Sequence, residues 1–266
     1  TKIIWGPFGG GEVAYRGCVK DFSMRGKITE FMRRIFSLYF FRLDPIVQNN
    51  FRNASLLLTR TDMTAKRIPK KYLLKTKVFL ETGFSSIPIF ERNRSSEKIN
   101  IFTMSRLIPY KNIRVAILAM KLLTKKLPLV KLHIYGDGSL EQDLKLLVEN
   151  LNLKDNIIFH GNISHNEMLN NIKIMDALIH PAVRDGGTHS VMEAMAYGIP
   201  VICLDNAGPG YMVDDNSGIK INGKDNNEII IAIANATFKL LTNKEFYETL
   251  SNGARNRVSE NFLWNQ

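Results

Sequence analysis

From about Asn100 onward, short apolar segments alternate with segments of helical periodicity, and no other feature restricts the fold of this chain as strongly. In the helical segment Lys111–Lys126, for example, Val115, Ala119 and Leu123 recur on one face. Strands that alternate with helices predict βαβ units, in which helices cover both faces of a parallel sheet. The predicted strands are Ile99–Ser105, Val130–Tyr135, Asn156–His160, Asp176–His180 and Pro200–Leu204, and the further predicted helices are Leu140–Leu151, Asn166–Lys173, His189–Tyr197, Glu228–Leu241 and Glu245–Arg257.

The first 90 residues are less regular. They contain a Gly-rich turn at Trp5–Glu12, a predicted helix at Arg25–Leu43 and two predicted strands at Ala54–Thr59 and Lys77–Glu81. The Ser- and Pro-containing segment Phe84–Ser96 is the best linker candidate. We therefore predict an α/β architecture with a partial N-terminal domain over residues 1–90 and a parallel-sheet domain over residues 91–266.

The positive charge of the chain is confined to one part of it. Residues 1–100 carry 19 Lys and Arg against 8 Asp and Glu, whereas residues 101–266 carry 17 of each. This asymmetry argues against a uniformly basic nucleic-acid-binding surface, and no DNA- or RNA-binding motif accompanies the charge. We expect no nucleic-acid partner, although filter binding across salt concentrations remains the direct check on that hypothesis.

The segment Arg25–Arg42 interleaves arginines with aromatic residues. Such a segment is most often a solvated amphipathic helix, but it also fits a helix that lies on an anionic membrane surface. The two cysteines, Cys18 and Cys203, are too few for a disulfide framework or a four-ligand zinc site. No apolar segment approaches the roughly 20 residues that span a bilayer. We expect a cytoplasmic protein that attaches peripherally to the inner face of the plasma membrane.

The densest chemical signal lies between Asp185 and Pro200. A predicted strand ends at His180, a loop with two glycines follows, and a helix begins near Thr188. Free N–H groups at a helix N-terminus suit a phosphate, and glycines let a ligand approach the backbone closely. Asp185 and Glu193 flank that helix start, and carboxylates accept hydrogen bonds from hydroxyl groups. A ligand with both hydroxyl groups and phosphates, such as a nucleotide sugar, fits this pattern.

Two cations follow an earlier strand. Arg106 and Lys111 lie in the segment after Ile99–Ser105, where Arg can hold a phosphate bidentately and Lys adds a point charge. Together they fit a diphosphate that is stabilised as it leaves. Each cation taken alone is more often a solvated surface charge.

Glycines recur where the predicted strands end, which is where parallel α/β sheets bind ligands. The pair Gly136 and Gly138 is by itself a weak signal, because the third glycine of a dinucleotide-binding fingerprint is absent. A dehydrogenase is therefore a minor alternative. The other glycines in such positions are Gly161, Gly186, Gly187, Gly208 and Gly210.

These motifs, in this order, resemble the C-terminal half of the family-4 retaining glycosyltransferases (glycosyl transferases group 1), which have the GT-B fold. Ser-Arg-Leu-Ile-Pro-Tyr-Lys111 resembles the diphosphate motif of that family, and the segment from Asp185 to Glu193 resembles its E-x7-E signature. The resemblance covers about residues 100–220. Trp5–Glu12 resembles a Gly-rich loop in the N-terminal domain of some members that build polysaccharides, and the end of the chain resembles the segment before their final crossover helix. The resemblance implies a GT-B chain that is cut at both ends.

The resemblance also implies roles for individual residues. Arg106, Lys111 and the amides of Ser190 and Val191 would hold the diphosphate, and Asp185 would hold sugar hydroxyls. Glu193 would bind the ribose hydroxyls. The backbone of Gly161, Asn162 and Ile163 would border the base, Gly186 and Gly187 would admit the sugar, and Gly9, Gly10 and Gly11 would form a loop on the acceptor side.

On this interpretation the protein uses a UDP-, GDP- or ADP-sugar as donor and a glycan or lipid-linked acceptor, with no metal and no cofactor. The reaction would retain the anomeric configuration and serve surface polysaccharide synthesis. A non-transferring protein of the same fold, such as a nucleotide-sugar epimerase, is the alternative. The sequence departs from the family pattern at Asp185, where the family has Glu, at Ser105, where it has Gly, and at Tyr211, where it has an acid.

Overall fold

The computed structural model describes residues 2–88 and 99–264, without the side chain of Arg16. Two separate parallel sheets organise it, one in the N-terminal part and one in the C-terminal part. The predicted linker Phe84–Ser96 falls mainly on residues 89–98, outside the described residues, so the domain boundary at residue 90 stays a prediction.

The N-terminal part contains a three-stranded sheet in the order β1-β2-β3. Its apolar residues, among them Phe41, Phe51 and Leu57, form a core of their own. The strands are β1 (Ile4–Phe8), β2 (Leu56–Thr59) and β3 (Thr76–Val78), and the helices are α1 (Arg16–Val19), α2 (Met24–Arg42), α3 (Pro45–Asn53) and α4 (Asp62–Ala65).

The C-terminal part contains a six-stranded sheet in which every pairing is parallel. Its strands are β4 (Ile99–Met104), β5 (Val130–Tyr135), β6 (Ile157–Gly161), β7 (Ala177–His180), β8 (Val201–Leu204) and β9 (Gly218–Ile221). Its helices are α5 (Ile113–Leu123), α6 (Glu141–Asn150), α7 (His165–Ile172), α8 (His189–Ala196), α9 (Ala207–Met212), α10 (Asn226–Thr242) and α11 (Lys244–Asn261).

The strand order of this sheet is β6-β5-β4-β7-β8-β9. Numbered from its first strand, it reads 3-2-1-4-5-6, which is the order of a doubly wound Rossmann-like sheet. Apolar side chains are buried on both faces, in one cluster that includes α5 and α10 and in a second that includes α8. The prediction of a parallel α/β sheet covered on both faces is confirmed.

Several predicted elements differ from the structure in extent. The first strand continues through Gly6 and Pro7 to Phe8, so the Gly-rich turn begins at Gly9 rather than at Trp5. The strand predicted at Lys77–Glu81 is only Thr76–Val78. The elements α1, α3, α4, α9 and β9 were not predicted.

Residues 11–30 belong to the N-terminal part and make contacts with the C-terminal part. Gly17 packs so closely on the backbone of Lys224 that a Cβ atom would lie 1.9 Å from its carbonyl oxygen. The Tyr15 hydroxyl donates to the Asp205 carbonyl oxygen at 3.1 Å. Hydrogen bonds and close packing therefore hold the N-terminal part against the C-terminal sheet.

The Gly-rich loop is held by one carboxylate. Glu12 is 4% exposed and its side chain accepts hydrogen bonds from the Thr64 hydroxyl (2.7 Å), the Gly10 amide (2.9 Å) and the Thr61 hydroxyl (2.8 Å). Burial alone would raise the pKa of Glu12, but these hydrogen bonds outweigh burial and hold the pKa below its ordinary value of 4.5. The ionised form of Glu12 therefore stabilises the loop.

We predict that Glu12→Gln lowers the free energy of unfolding by about 1–3 kcal/mol at pH 7, because a carboxylate accepts stronger hydrogen bonds than an amide. The pKa is depressed in the folded state, so this contribution is complete above pH 4.5 and is lost as the pH falls through the folded-state pKa. Urea unfolding at a series of pH values measures it. Glu248→Gln, at a largely exposed site on α11, is the control. A difference between wild type and Glu12→Gln that stays constant down to pH 2 would contradict the assignment.

Candidate functional site

The crevice between β4 and β7 is the switch point of the sheet. From β4 the chain proceeds to β5 and β6 on one side, whereas β7 is followed by β8 and β9 on the other. The loops after β4 and β7 therefore diverge and leave a crevice beyond the carboxyl ends of these two strands, where sheets of this type bind ligands. The loop after β4 carries Arg106 and Lys111, and the loop after β7 carries Asp185, Gly186 and Gly187.

Lys111 and Asp185 meet across this crevice. The Lys111 ammonium group is in direct contact with the Asp185 Oδ2 atom, and each side chain is 13% exposed. An ion pair with so little solvent exposure is screened weakly by water. The structure thus brings together two residues that the sequence motifs singled out separately.

His180, at the end of β7, supports the same carboxylate. Its Nε2 atom lies 3.3 Å from Asp185 Oδ2, and the side chain is 1% exposed. Burial lowers the pKa of His180 despite the nearby carboxylate, so the neutral ring donates the proton on Nε2 to Asp185. Burial alone would raise the pKa of Asp185, but the His180 hydrogen bond and the Lys111 charge outweigh it and lower the pKa. Asp185 is therefore an anion at neutral pH.

Tyr110 organises the cations around the crevice. Its hydroxyl accepts a hydrogen bond from the Arg106 guanidinium at 2.9 Å, and its ring lies under the Arg184 guanidinium at 4.3 Å. Its carbonyl oxygen also accepts from the Val183 amide at 3.0 Å, which ties the loop after β7 to the loop after β4. Sequence reasoning assigned no role to Tyr110 or Arg184, and their positions next to Lys111 and Asp185 were the available signal.

The helix α8 begins at the crevice as predicted. Its N-cap residue, Thr188, makes no side-chain capping hydrogen bond, so the amides of Ser190 and Val191 in the first turn are not satisfied by a cap. A helix start of this kind presents partial positive charge to an anion.

The Gly186–Gly187 loop rests on the start of α9. The Gly208 amide donates to the Asp185 carbonyl oxygen at 2.9 Å, and a Cβ atom on Gly208 would lie 2.5 Å from the Gly186 carbonyl oxygen. Only glycine permits this approach. Gly208 was noted in the sequence only as one of several glycines, and its contact with the Asp185 loop was not predicted.

Glu193 lies one turn into α8 and is 8% exposed. Its Oε1 atom is 2.7 Å from His165 Nε2, and the His165 side chain is 66% exposed. Glu193 therefore lies close to the protein surface, and one of its two carboxylate oxygens contacts His165. Strand β6 ends at Gly161, which has φ +67° and open space where a Cβ atom would point. Ile163, in the loop after β6, packs against the cluster that includes Val191.

Arg60 lies between the Gly-rich loop and the Gly186–Gly187 loop. Its Cδ atom is 3.3 Å from a Cβ position on Gly9 and 3.8 Å from one on Gly186, and its guanidinium pairs with Glu81. Gly11 instead packs on the backbone of α4, where a Cβ atom would lie 2.4 Å from the Thr64 Cα atom. Gly9 thus faces the Gly186–Gly187 loop across Arg60, whereas Gly11 is required by packing. The acceptor role of Gly9, Gly10 and Gly11 stays a prediction.

Two further observations concern the described residues only. None of their His, Cys, Asp and Glu side chains form a group of three or more that could hold a metal ion. Across residues 2–88 and 99–264, no helix is both long enough and apolar enough to cross a bilayer.

Comparison with known proteins identifies the family of this chain. The sequence profile of the glycosyl transferases group 1 matches residues 87–257, which include both crevice loops and α8. The chain belongs to the glycosyl transferases group 1 family. The resemblance to the glycosyl transferases group 1 is confirmed, and so is the α/β fold of GT-B type.

Among curated relatives, the chain is 27% identical over 188 residues to the poly(ribitol-phosphate) alpha-N-acetylglucosaminyltransferase of Staphylococcus aureus, which covers 70% of this chain and 36% of that protein. It is 28% identical over 231 residues to the putative colanic acid biosynthesis glycosyltransferase WcaL of Escherichia coli, which covers 82% of this chain and 55% of that protein. The chain therefore spans between about a third and about half of the length of these relatives.

Two solved structures show the same fold. A mutant of S. aureus TarM, in complex with fondaparinux, alpha-GlcNAc-glycerol and UDP, superposes with a TM-score of 0.68 at 21% identity over 92% of this chain and 46% of that chain. Anabaena Alr3699/HepE, in complex with UDP and glucose, superposes with a TM-score of 0.66 at 18% identity over 98% of this chain and 68% of that chain.

We predict that Asp185→Asn tightens the binding of pyrophosphate at least threefold. The substitution removes the carboxylate that shares the charge of Lys111 and that would repel a bound anion. Isothermal titration calorimetry with pyrophosphate measures the affinity, and Asp155→Asn, at an exposed position after α6, controls for the loss of one negative charge. Equal or weaker binding by Asp185→Asn would show that Lys111 and Asp185 do not compete for one anion.

Proposed function

We propose that this protein transfers a sugar from a nucleoside-diphosphate sugar to a glycan or lipid-linked acceptor, with retention of the anomeric configuration. The observation that carries the proposal is the meeting of Lys111 and Asp185 in front of the α8 N-terminus. A cation, a free helix start and a carboxylate at one crevice match the phosphates and hydroxyls of such a donor. Relatives named as N-acetylglucosaminyl- and mannosyltransferases, and structural neighbours bound to UDP, support it.

Each end of the donor has a matching group in the crevice. Arg106, Lys111 and the Ser190 and Val191 amides hold the diphosphate. Glu193 accepts from the ribose hydroxyls with the oxygen that His165 leaves free, because a carboxylate has about four lone-pair positions. The base lies along Gly161, Asn162 and Ile163, where the open side of Gly161 leaves room for a planar ring.

Asp185 orients the sugar. As an anion supported by His180, it accepts hydrogen bonds from sugar hydroxyls, and Gly186 and Gly187 let the sugar approach the backbone. When the diphosphate binds, Lys111 turns from Asp185 to the phosphate oxygens. The carboxylate that Lys111 vacates then becomes available to the sugar.

In the reaction, the bond between the anomeric carbon and the phosphate oxygen breaks, and a bond from the acceptor oxygen to that carbon forms on the same face. The diphosphate leaves with the bonding electrons and takes the proton of the acceptor hydroxyl. Lys111 and Arg106 stabilise the charge that develops on the leaving phosphate. The donor is a UDP-, GDP- or ADP-sugar, and the proposed reaction uses neither a metal nor a cofactor.

Product analysis tests this function directly. The protein is incubated with UDP-, GDP- and ADP-sugars, with and without a panel of glycan and lipid-linked acceptors, and the products are examined by mass spectrometry and by NMR of the anomeric proton. Transfer that preserves the anomeric configuration is expected. Inversion would contradict retention, and conversion of the donor to a different nucleotide sugar without an acceptor would identify an epimerase instead.

Loss of either crevice cation is predicted to impair the reaction. Arg106→Ala and Lys111→Ala should each lower kcat/KM about 30- to 150-fold, which corresponds to about 2–3 kcal/mol of transition-state stabilisation. Arg114→Ala, which removes an exposed cation from the first turn of α5, is the matched control and should stay within twofold of wild type. Steady-state kinetics with the preferred donor decide the outcome. Unchanged kcat/KM in Lys111→Ala would remove Lys111 from the diphosphate site.

The exposed face of α2 supports the second part of the proposal, which concerns attachment to a membrane surface. Arg25, Lys27 and Arg42 are exposed, and Glu30, the only acid of the helix, is buried. The helix therefore presents cations and no carboxylate to solvent. Large apolar side chains that are at least 41% exposed lie between the cations: Met24, Ile28, Phe31, Met32, Ile35, Phe36, Leu38, Tyr39 and Phe40.

This combination fits the headgroup region of an anionic bilayer. We therefore place the protein peripherally on the inner face of the plasma membrane. There it would reach lipid-linked acceptors, in keeping with a role in surface polysaccharide synthesis.

We predict that the protein sediments with vesicles in which about a third of the lipid is phosphatidylglycerol. With vesicles of pure phosphatidylcholine it should stay in the supernatant. Phe36→Glu should abolish sedimentation because it places a carboxylate in the apolar face of α2. Leu146→Glu, a matched change at a similarly exposed site on α6, should not. Equal sedimentation of Phe36→Glu and wild type would exclude α2 as the contact surface.

A further inference from the structure

A buried ion pair joins helix α2 to the loop of residues 181–187, which we call the donor-side loop. The Arg184 guanidinium lies 3.0 Å from the Glu30 Oε1 atom, and the two side chains are 12% and 4% exposed. Arg184 also stacks on the ring of Tyr110 at 4.3 Å. Because Arg184 directly precedes Asp185, this pair fixes the chain immediately before the carboxylate of the crevice.

The same helix reaches the Gly-rich loop. Arg33, one turn beyond Glu30 on α2, lies 3.8 Å from the Glu12 carboxylate. Glu12 in turn holds the Gly10 amide and the hydroxyls of α4 and its N-cap. Two ion pairs, Arg184–Glu30 and Arg33–Glu12, therefore form a charge network that links the donor-side loop and the Gly-rich loop to the same helix.

Stability alone is a weak reason for such a network. Burying charges is costly, and a buried ion pair is often no more stabilising than apolar side chains of the same volume. Here the network is also incompletely satisfied: Glu30 Oε2, Arg33 Nε and Arg184 Nε are buried without a hydrogen-bond partner among the described residues. The pair does fix the orientation of Arg184, because its guanidinium is held by the Glu30 carboxylate on one side and by the Tyr110 ring on another.

The other contacts between the two parts of the chain lie farther along the sequence from Asp185. Tyr15 bonds to Asp205, and Asn226 bonds to Asp21 at 2.6 Å. These two hydrogen bonds hold the parts together outside the loop of residues 181–187, whereas Arg60 and Leu80 approach Gly186 and Gly187 of that loop only through side-chain carbon atoms. The Arg184–Glu30 pair adds a directional, charged contact immediately before Asp185.

We propose that Glu30 and Arg184 are positioning residues, whose ion pair fixes the Asp185 loop against helix α2 and so aligns the donor crevice with the Gly-rich loop. Neither residue needs to touch the donor in this arrangement. They act through Asp185, whose backbone they restrain. The effect on turnover rests on the proposed function, whereas the effect on the loop does not.

Hydrogen–deuterium exchange of the full chain tests the effect on the loop. In Glu30→Gln, the carboxylate is lost at nearly constant volume, and amides within residues 182–188 are expected to exchange at least tenfold faster than in wild type. The control is Asp214→Asn, which breaks the 2.9 Å pair between Arg257 and Asp214 away from the crevice and should leave that loop unchanged. Unchanged exchange of residues 182–188 in Glu30→Gln would overturn the proposal.

Arg184→Lys is a second, milder variant, because it keeps the charge and removes the fork and the stack on Tyr110. Faster loop exchange is expected here too, by at least threefold. If Glu30→Gln does not fold, Arg184→Lys decides: exchange equal to wild type would overturn the proposal.

Kinetics with the preferred nucleotide sugar test the consequence for the reaction. Both variants should lower kcat at least tenfold while KM for the donor changes less than threefold, because the donor-binding side chains remain. Asp214→Asn should keep kcat within twofold. A wild-type kcat in variants with a loosened loop would overturn the alignment role. If wild type itself processes no nucleotide sugar, the proposed function fails, and the exchange experiment still decides whether the pair positions the loop.

Discussion

The contact between Lys111 and Asp185 is the interaction around which the crevice is built. It joins the loop after β4 to the loop after β7. These loops leave two adjacent parallel strands in opposite directions, and the strand pairing does not extend to the loops. The two largely buried charges restrain each other, and His180, at the end of β7, donates a hydrogen bond to the carboxylate. The arrangement holds a cation and a carboxylate in the same crevice, close to a helix start, and the proposed nucleotide-sugar donor has phosphates and hydroxyls to match them.

The strand–helix alternation predicted most of the C-terminal sheet because its segments, such as Val130–Tyr135, have strong periodicity. Two of its elements were missed for physical reasons. α9 contains Gly208 and Pro209, which disfavour helices, and forms where Gly208 packs on Gly186. β9 is only four residues long and includes Lys220. By contrast, α3 had a readable signal, since Asp44 and Pro45 form an N-cap and a first helical position.

The site was predictable to the extent that its residues belong to local motifs. Arg106, Lys111, Asp185 and Glu193 could be named from the sequence because each follows a strand or opens a helix. The contact between Lys111 and Asp185 follows once the order of the strands is known. The pairing of Arg184 with Glu30 could not be predicted, because it depends on how two separately folded sheets pack on each other. The structure also shows where part of the positive charge of residues 1–100 lies, because α2 buries its one acid, Glu30, and exposes Arg25, Lys27 and Arg42.

A structure of the protein with UDP or GDP bound tests the central claim most directly. The account predicts the diphosphate within hydrogen-bonding distance of Lys111 and of the α8 N-terminus, with Lys111 turned away from Asp185 and the ribose hydroxyls on Glu193. It also predicts a base that lies along Gly161–Ile163. A nucleotide bound elsewhere, or a Lys111–Asp185 contact that persists beside the bound diphosphate, would contradict it.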